Sequence, residues 1–448
     1  MKVSVRTRRR SPRADARPVL LWLALTAMFV CALFAGALLV HVIAGEWLDL
    51  KLSSARVRVL ELLPKPDAPD FVPTPMLSKR NVSARATILW NVNAVTRTAE
   101  ANASTTETRV SAANARAQVT QTAQPTRKPT VIAAQNNLKP IQPMVQLDGV
   151  THEAQRFNNC GPTTLRMYFS FYDFRQETQV QIANVLKPNR DDRNVSPDEL
   201  MNYARSKGFH AITRVNGDIA RVKTFLSNDI PIMIEEGYDP PRAKQGWMGH
   251  YLLITGYDEN GITAQDSYNG PNQHVSWQEF DDHWRNFNRT YLVIYTDARA
   301  DAVNAIVGED LDDATMYAQA AQRAQEEWNA NPDDAFAVFN LASSLLGLGE
   351  YEAAAQAFDE ARVLKLPWRM LWYQFGPYEA YYRVGRYEEV IALADVTLHP
   401  TSDLEESYYY KGLALEKLGR LDQARAAFEL ALKYNPNYQA ARQALDAQ

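Results

Sequence analysis

From Val19 to Val40 the chain runs for 22 residues without a charged side chain. At 1.5 Å of rise per residue, such a run crosses a hydrocarbon core of about 30 Å. The hundred residues that follow offer nothing to bury it, so 18–44 reads as one transmembrane helix and not as a core helix. Secretory signal peptides have apolar regions of only about 7–15 residues. Met28, Phe29 and Val30 before Cys31 do not form a lipoprotein cleavage site, so the segment reads as a retained anchor. Lys2, Arg6, Arg8, Arg9, Arg10, Arg13 and Arg17 crowd one flank, while Glu46 and Asp49 lie on the other. The positive-inside rule makes 1–17 a cytoplasmic basic tail and puts everything after the helix outside. The expectation is a single-pass protein of a bacterial cell membrane, with its folded parts extracytoplasmic.

At 448 residues the chain is too long for one core, and two or three domains with linkers are expected. Residues 45–144 are rich in Ala, Thr, Ser, Asn and Pro and hold no sustained apolar period, which describes a disordered stalk. Basic residues concentrate at the terminus and in the stalk, whereas 301–448 carries twelve Lys/Arg against 24 acids. No folded domain shows the basic stripe of a nucleic-acid binder. Cys31 lies in the apolar run, so Cys160 is the lone thiol of the soluble region and no disulfide framework is possible there. An unpaired cysteine exported to an oxidising compartment suggests that its reactivity is used.

Residues 145–300 alternate helical apolar patterns with short β-rich runs. Gln155-Arg-Phe-Asn-Asn-Cys160-Gly161-Pro162 leads into a segment where Leu165, Tyr168, Phe169 and Tyr172 recur at i, i+3, i+4 and i+7. Cys160 thus opens a buried helix, and the partial positive charge at a helix N-terminus favours thiolate over thiol. Ser196-Pro197-Asp198-Glu199 is a capping box with proline at the first helical position, and Gly208 is placed to end that helix. Asp218 and Ser276 read as further helix starts. Ile230 to Ile234, His250 to Tyr257, Ile262 to Asp266 and Tyr291 to Tyr295 have strand character, with Asn260-Gly261 in the turn joining the middle two. Cysteine on an early helix and histidine at a later strand entry is the papain-like arrangement of an α+β cysteine peptidase. In it the imidazole takes the thiol proton and returns one to the leaving amine.

Gln155 to Pro162, Gly249-His250-Tyr251 and Asp266-Ser267-Tyr268-Asn269-Gly270 resemble the bacteriocin-processing, double-glycine leader peptidase-like family. The resemblance covers roughly 145–298. It implies Cys160 as nucleophile, His250 as general base and acid, Asp266 as the group orienting His250, and Gln155 as oxyanion-hole donor. Ser267 stands where the family often has proline. The leader peptidases proper are joined to a multi-span transporter with an ATPase domain, and this chain has one span and no phosphate-binding loop. Regular register from a turn at Asp258 to Gly261 puts Asn269 opposite His250 and Asp266 about three residues along, on the other face. A bulge, or an early end to the second strand, is needed to bring Asp266 to the imidazole. Asn269 is therefore the alternative orienting residue. His152, His210, His274 and His283 are expected on the surface or in satisfied hydrogen bonds. No residue pattern has metal-ligand spacing, and no cofactor is implied.

After residue 310 the composition shifts to Ala, Leu, Glu and Tyr. A segment recurs at Gly349-Glu-Tyr351, Gly385-Arg-Tyr387 and Gly419-Arg-Leu421, with periods of 36 and 34 residues. Ala342, Ala354, Phe358 and Ala361 of one unit match Gly412, Ala424, Phe428 and Ala431 of the last. Helix pairs of this period resemble tetratricopeptide repeats, so 311–448 is expected to be an all-α solenoid. Leu311 to Ala330 reads as an extra helix packing the first repeat on the preceding domain. The middle unit is irregular and holds Trp368, Trp372, Tyr373, Tyr378, Tyr381 and Tyr382, as a contact surface or as core. The functional expectation is a membrane-anchored cysteine peptidase acting on a peptide or protein, with repeats that select substrate or bind a protein partner. The alternatives are a catalytically silent envelope scaffold and a cysteine amidase or transpeptidase.

Overall fold

The computed structural model describes Met28 and residues 68–76, 138–239 and 246–448. Apart from Met28, the expected tail and membrane helix lie outside the described residues, as does most of the stalk. Among the described residues no helix is long and apolar enough to cross a membrane. The chain divides into Met1–Pro64 and Lys65–Gln448, and the architecture below is that of the second unit.

Residues 138–307 form a mixed structure around one antiparallel sheet. The strands are β1 (Val145–Gln146), β2 (His210–Arg214), β3 (Ile232–Tyr238), β4 (Met248–Tyr257), β5 (Gly261–Asp266), β6 (Gly270–Ser276) and β7 (Tyr291–Tyr295). They run in the order β2-β7-β3-β4-β5-β6, with β1 paired to the end of β4. Helices α1 (Cys160–Phe171), α2 (Gln179–Leu186) and α3 (Pro197–Ser206) precede β2, and α4 (Ile219–Ser227) precedes β3. Helices α5 (Trp277–Trp284) and α6 (Ala300–Val307) complete the domain. The helix starts follow the chain's own capping chemistry. Ser196 and Glu199 exchange hydrogen bonds in a capping box at α3, and Asp218 and Ser276 accept from the third residues of α4 and α5. Past the end of α3, Gly208 takes φ +89°, a left-handed conformation that suits glycine.

Both faces of the sheet are covered, which is why its central strands are apolar without alternation. Leu253, Met233, Leu292 and Ile294 pack with Leu165, Phe169 and Leu200 of α1 and α3. Leu252, Ile254, Ile234 and Val293 face Phe225, Phe280 and Trp284 of α4 and α5. Burying side chains of this size contributes about 1.5–3 kcal/mol each. Strands β2 and β6 escape sequence reading for local reasons. β6 is a polar edge strand carrying Pro271 and a left-handed Asn272 (φ +50°), and β2 is a five-residue piece wedged between two helices. The domain also begins earlier than 145: Lys139 N–H donates to Asn228 Oδ1 (2.8 Å) and Gln142 N–H to Ser227 Oγ (3.1 Å).

Helix α7 (Asp313–Ala330) bridges the two halves, as expected for Leu311 to Ala330. Its Arg323 donates to the Gly217 carbonyl (2.9 Å), and its Glu327 pairs with Arg289 (2.8 Å). Three helix pairs follow: α8 (Ala335–Gly347) with α9 (Tyr351–Val363), α10 (Gly376–Arg383) with α11 (Tyr387–Leu398), and α12 (Glu405–Lys417) with α13 (Leu421–Tyr434), closed by α14 (Gln439–Asp446). A Cβ on Gly412 would lie 2.5 Å from the Phe428 ring, so the crossing requires the absent side chain. The irregularity of the middle unit is a long connection, 364–375, that contains a 3-10 turn at Trp368–Trp372. Tyr378 and Tyr381 are core, whereas Trp368 and Tyr373 remain half-buried.

Residues 68–76 correct the expectation of an unbroken disordered stalk. Val72 is buried in the repeat core, its N–H donating to Leu366 O (3.0 Å). Arg362 Nε donates to Pro73 O (2.7 Å), and Met76 N–H to Glu389 Oε2 (3.0 Å). The backbone of this segment thus satisfies a buried Arg362–Glu389 ion pair (2.7 Å).

A cluster of carboxyls lies where the repeats meet α2 and α3. Burial, then neighbouring acids, pushes Glu405 and Glu406 well above the usual carboxylate range, and burial takes Asp192 up to about 7. Oxygens of all three are buried without a partner among the described residues. An acid whose folded pKa is raised contributes stability that is full below its unfolded pKa and lost as pH rises. Glu406→Gln is therefore expected to raise the melting temperature by about 2–4 °C above neutral pH and to leave it nearly unchanged in acid; equal shifts at both pH values in thermal unfolding would contradict this.

Candidate active site

Cys160 is the first residue of α1, and its neighbour Asn159 makes no side-chain cap, so no side chain caps the partial positive charge beside the thiol. The preceding loop is held rigidly. Asn159 Nδ2 donates to Gln179 Oε1 (2.8 Å), Thr163 Oγ1 to Asn159 O (2.7 Å), and Lys187 Nζ to the carbonyls of Asn158 (2.8 Å) and Asp192 (2.6 Å). Across from it, Thr164 Oγ1 donates to Tyr251 O (3.2 Å), docking α1 on β4 one residue past His250.

His250 lies in β4, paired across from Glu236 of β3. Its side chain is 1% exposed. Its Nε2 meets Asp266 Oδ1 at 2.8 Å, and the ring is near enough to the Cys160 thiol for its charge and hydrogen bonding to act on the sulfur. With Nε2 on the carboxylate, Nδ1 is the ring nitrogen left for the sulfur. Cys160 is partly exposed as a residue, whereas His250 and Asp266 are buried.

Asp266 reaches the imidazole because of a bulge. Near the turn, Tyr257 pairs with Ile262 and Gly256 with Thr263; beyond it, Ile254 pairs with Ala264 and Leu252 with Asp266. Thr255 is the extra residue on β4. Side chains alternate with period two, so one added residue moves Asp266 to the face that Leu252 and His250 share. β5 also ends at Asp266, freeing the chain to turn.

The turn then fixes the carboxylate. Oδ1 accepts from the N–H groups of Tyr268 (2.7 Å) and Asn269 (3.0 Å), and Oδ2 from Asn269 Nδ2 (2.6 Å). Asn269 is thus placed behind Asp266 and makes no contact with the ring, in contrast to its expected position opposite His250. His152 Nε2 lies 3.0 Å from the Asp266 carbonyl, a role that its spacing did not signal.

Gln155 is bound to the same turn. Its N–H donates to Ser267 O (2.8 Å), and Ser267 Oγ donates to its Oε1 (2.8 Å). The carboxamide Nε2 has no partner among the described residues, leaving two N–H donors beside the thiol's loop. Ser267 therefore supplies the hydroxyl that orients Gln155.

The electrostatics follow from these contacts. Burial raises the Cys160 thiol, but the hydrogen bond and charge of His250, with Lys187 behind, bring it below its ordinary value. Burial disfavours the imidazolium, yet the charge and hydrogen bond of Asp266 and the bond to Cys160 hold His250 well above its usual range. Burial would raise Asp266; His250 and the Asn269 donors hold it far below the carboxylate range instead. Charge-assisted bonds are roughly twice as strong as neutral ones, and the lowered thiol and raised imidazole both favour the ion pair over the neutral pair. Glu235, on the α1 side of β3, is pushed well up by burial and then by Cys160, which favours its protonated form. Among the described residues no group of His, Cys, Asp and Glu is placed to hold a metal ion.

Residues 138–292 match the model of the Peptidase_C39 like family, and residues 405–438 match that of the tetratricopeptide repeat. No curated protein matches the chain. Among solved structures, a C39-like peptidase from Bacillus anthracis is 15% identical over 34% of this chain and 98% of that one, with a TM-score of 0.28. A double glycine motif protease from an AMS/PCAT transporter, in complex with the leader peptide, is 18% identical over 34% and 93%, with a TM-score of 0.26. MamA from Desulfovibrio magneticus RS-1 is 18% identical over 29% and 72%, with a TM-score of 0.27.

Asp266→Asn removes the charge that keeps His250 protonated. The rate of Cys160 alkylation, flat across neutral pH in the parent, is expected to climb with pH toward the ordinary thiol range of about 8.5. A variant that keeps the flat profile would show that the carboxylate does not hold the ring charged.

Proposed function

We propose that residues 138–292 are a cysteine peptidase that cleaves a peptide or protein by thiolate attack. The single observation that carries this reading is the convergence of Cys160, His250 and Asp266, with His250 Nε2 2.8 Å from Asp266 Oδ1 and the ring's charge and hydrogen bonding acting on the thiol. The match to the Peptidase_C39 like family supports it. In this mechanism the Cys160 sulfur attacks the scissile carbonyl carbon and its electron pair moves onto the oxygen. Gln155 Nε2 and the N–H groups at the start of α1 stabilise that oxyanion. As the intermediate collapses, the His250 imidazolium gives its proton to the leaving amine, and Cys160 remains as a thioester. Water then enters, loses a proton to His250, and releases the acid and the thiolate. Asp266 holds the ring in the tautomer that serves both steps.

The apolar run and the basic flank support an anchored protein whose peptidase and repeats face the outside of a bacterial membrane. The repeats hold the substrate or a partner near the site. A binding-only scaffold is favoured by one observation, the docking of residues 68–76 on the repeats, and turnover decides between the two.

Incubating the full chain with a peptide library is expected to yield products that Cys160→Ala abolishes and His250→Ala reduces by about 10²–10⁴-fold. Product masses separate hydrolysis from transfer of the acyl group to an amine. Turnover that survives Cys160→Ala, or peptide capture without any turnover, sinks the peptidase reading. Gln155→Ala is expected to lower kcat by about 10²–10³-fold with KM little changed, because the donor acts on the oxyanion alone; a loss confined to KM would assign Gln155 to ground-state binding.

A further inference from the structure

The long connection in the middle repeat closes on the peptidase next to its nucleophile. Tyr373 packs against Gly249, the residue before His250, so closely that a Cβ there would lie 2.9 Å from its ring. Trp247 stacks edge-on to the same tyrosine, with ring centroids 6.0 Å apart. Burial, then the nearby Cys160, pushes the Tyr373 hydroxyl up to about 12. One residue earlier, the Trp372 indole is gripped by two guanidinium groups. Arg193, from the peptidase, lies 5.3 Å over it and 5.7 Å over Phe157, three residues before Cys160. Arg369, from the repeats, lies 5.1 Å over the same indole. The turn at 368–373 therefore touches the cysteine loop through Arg193 and the histidine strand through Tyr373.

These donors are unspent. Arg193 Nε, Arg369 Nε, Trp372 Nε1 and Trp247 Nε1 are all buried without a hydrogen-bond partner among the described residues. Neither guanidinium forms an ion pair there. Asp239 acts on Arg369 and Asp403 on Arg193 only at a distance, and the two arginines act unfavourably on each other. Two like charges on one indole, each with a buried Nε donor unpaired among the described residues, repel until an anion enters. A planar carboxylate matches the guanidinium fork in two-point fashion, and the stacked indole keeps that fork aimed.

We propose that Arg193 and Arg369, spaced by Trp372, form a carboxylate subsite where the middle repeat meets the cysteine loop and the histidine strand, selecting substrates that carry a carboxylate next to the bond attacked. The subsite rests on the peptidase reading for which bond that is, but its ligand binding does not. A peptide's own C-terminus and an acidic side chain present the same chemistry.

The test uses the full chain with Cys160→Ala, so that nothing is turned over. Immobilised protein is offered a randomised peptide pool in two forms, one with free C-terminal carboxylates and one with C-terminal amides, and retained peptides are quantified by mass spectrometry. Retention of the free acids over the amides by about tenfold or more, lost when Arg369→Met or Arg193→Met is added, supports the subsite with the terminus as its source. Selection of Asp- or Glu-containing amides, lost in the same variants, supports it with a side chain as the source. Equal retention of all classes, a preference that survives both arginine variants, or no retention at all overturns it. Each arginine belongs to a different domain, so a folding failure in one variant leaves the other to give the answer, and Trp372→Phe, which keeps the ring and removes one donor, is expected to weaken the preference without abolishing it. Carboxylate selection with no turnover in the parent chain would retain the subsite and sink the peptidase reading instead.

Discussion

The contact between His250 and Asp266 depends on one extra residue in one strand. Were Thr255 paired in regular register instead of bulged, Asp266 would face Leu253, His250 would lie on the opposite face, and the imidazole would have lost the anion that holds it charged. The bulge lies where β1 crosses the end of β4. Leu147 N–H donates to Thr255 O (2.7 Å), and Gly256 lacks the Cβ that would meet Gln146 Oε1 at 2.5 Å. Chain from well before the cysteine thus helps to fix the register on which the thiol's protonation depends. The carboxylate is pinned in turn by Asn269 and by the turn's own N–H groups, whose Ser267 also orients Gln155. One five-residue loop serves His250 and Gln155 together.

The repeats are joined to the peptidase by more than a linker. Helix α7 ties them through Arg323 and Glu327, the connection at 368–373 reaches Gly249, and a buried carboxyl cluster lies against α2 and α3. Desolvated acids of that kind stay protonated at a cost that grows with pH, so the association of the two halves is sensitive to the compartment in which the protein works. The departure of the middle unit from the repeat pattern, which weakens the solenoid signal, is the feature that brings Arg369 and the Trp372 indole to Arg193 beside the cysteine loop.

Much of this was legible in the sequence where the controlling interactions are local. Ser196, Asp218 and Ser276 start helices because their side chains cap backbone groups two or three residues away, and the apolar period after Cys160 places the thiol at a helix start. Gly349, Gly385 and Gly419 mark the helix pairs because each takes a left-handed turn. Register was not legible: nothing in Ile254-Thr255-Gly256 announces that Thr255 will be skipped, and regular counting put Asn269 opposite the histidine. Nor was the seat of residues 68–76, since the segment has stalk composition and its Val72, Pro73 and Met76 gain their partners from Leu366, Arg362 and Glu389, some three hundred residues away. Long-range burial, which sets Lys187, Glu235 and Asp192, likewise leaves no local pattern.

The central claim is that the Cys160 sulfur is an anion at neutral pH. Ultraviolet titration of the thiolate in the full chain, taken as a difference against Cys160→Ser to remove Cys31, reads that charge directly. The account predicts thiolate absorbance already present at neutral pH and lost only on acidification, well below the ordinary thiol range of about 8.5. Absorbance that first appears as pH rises through that range would show a neutral thiol beside the imidazole and contradict the account.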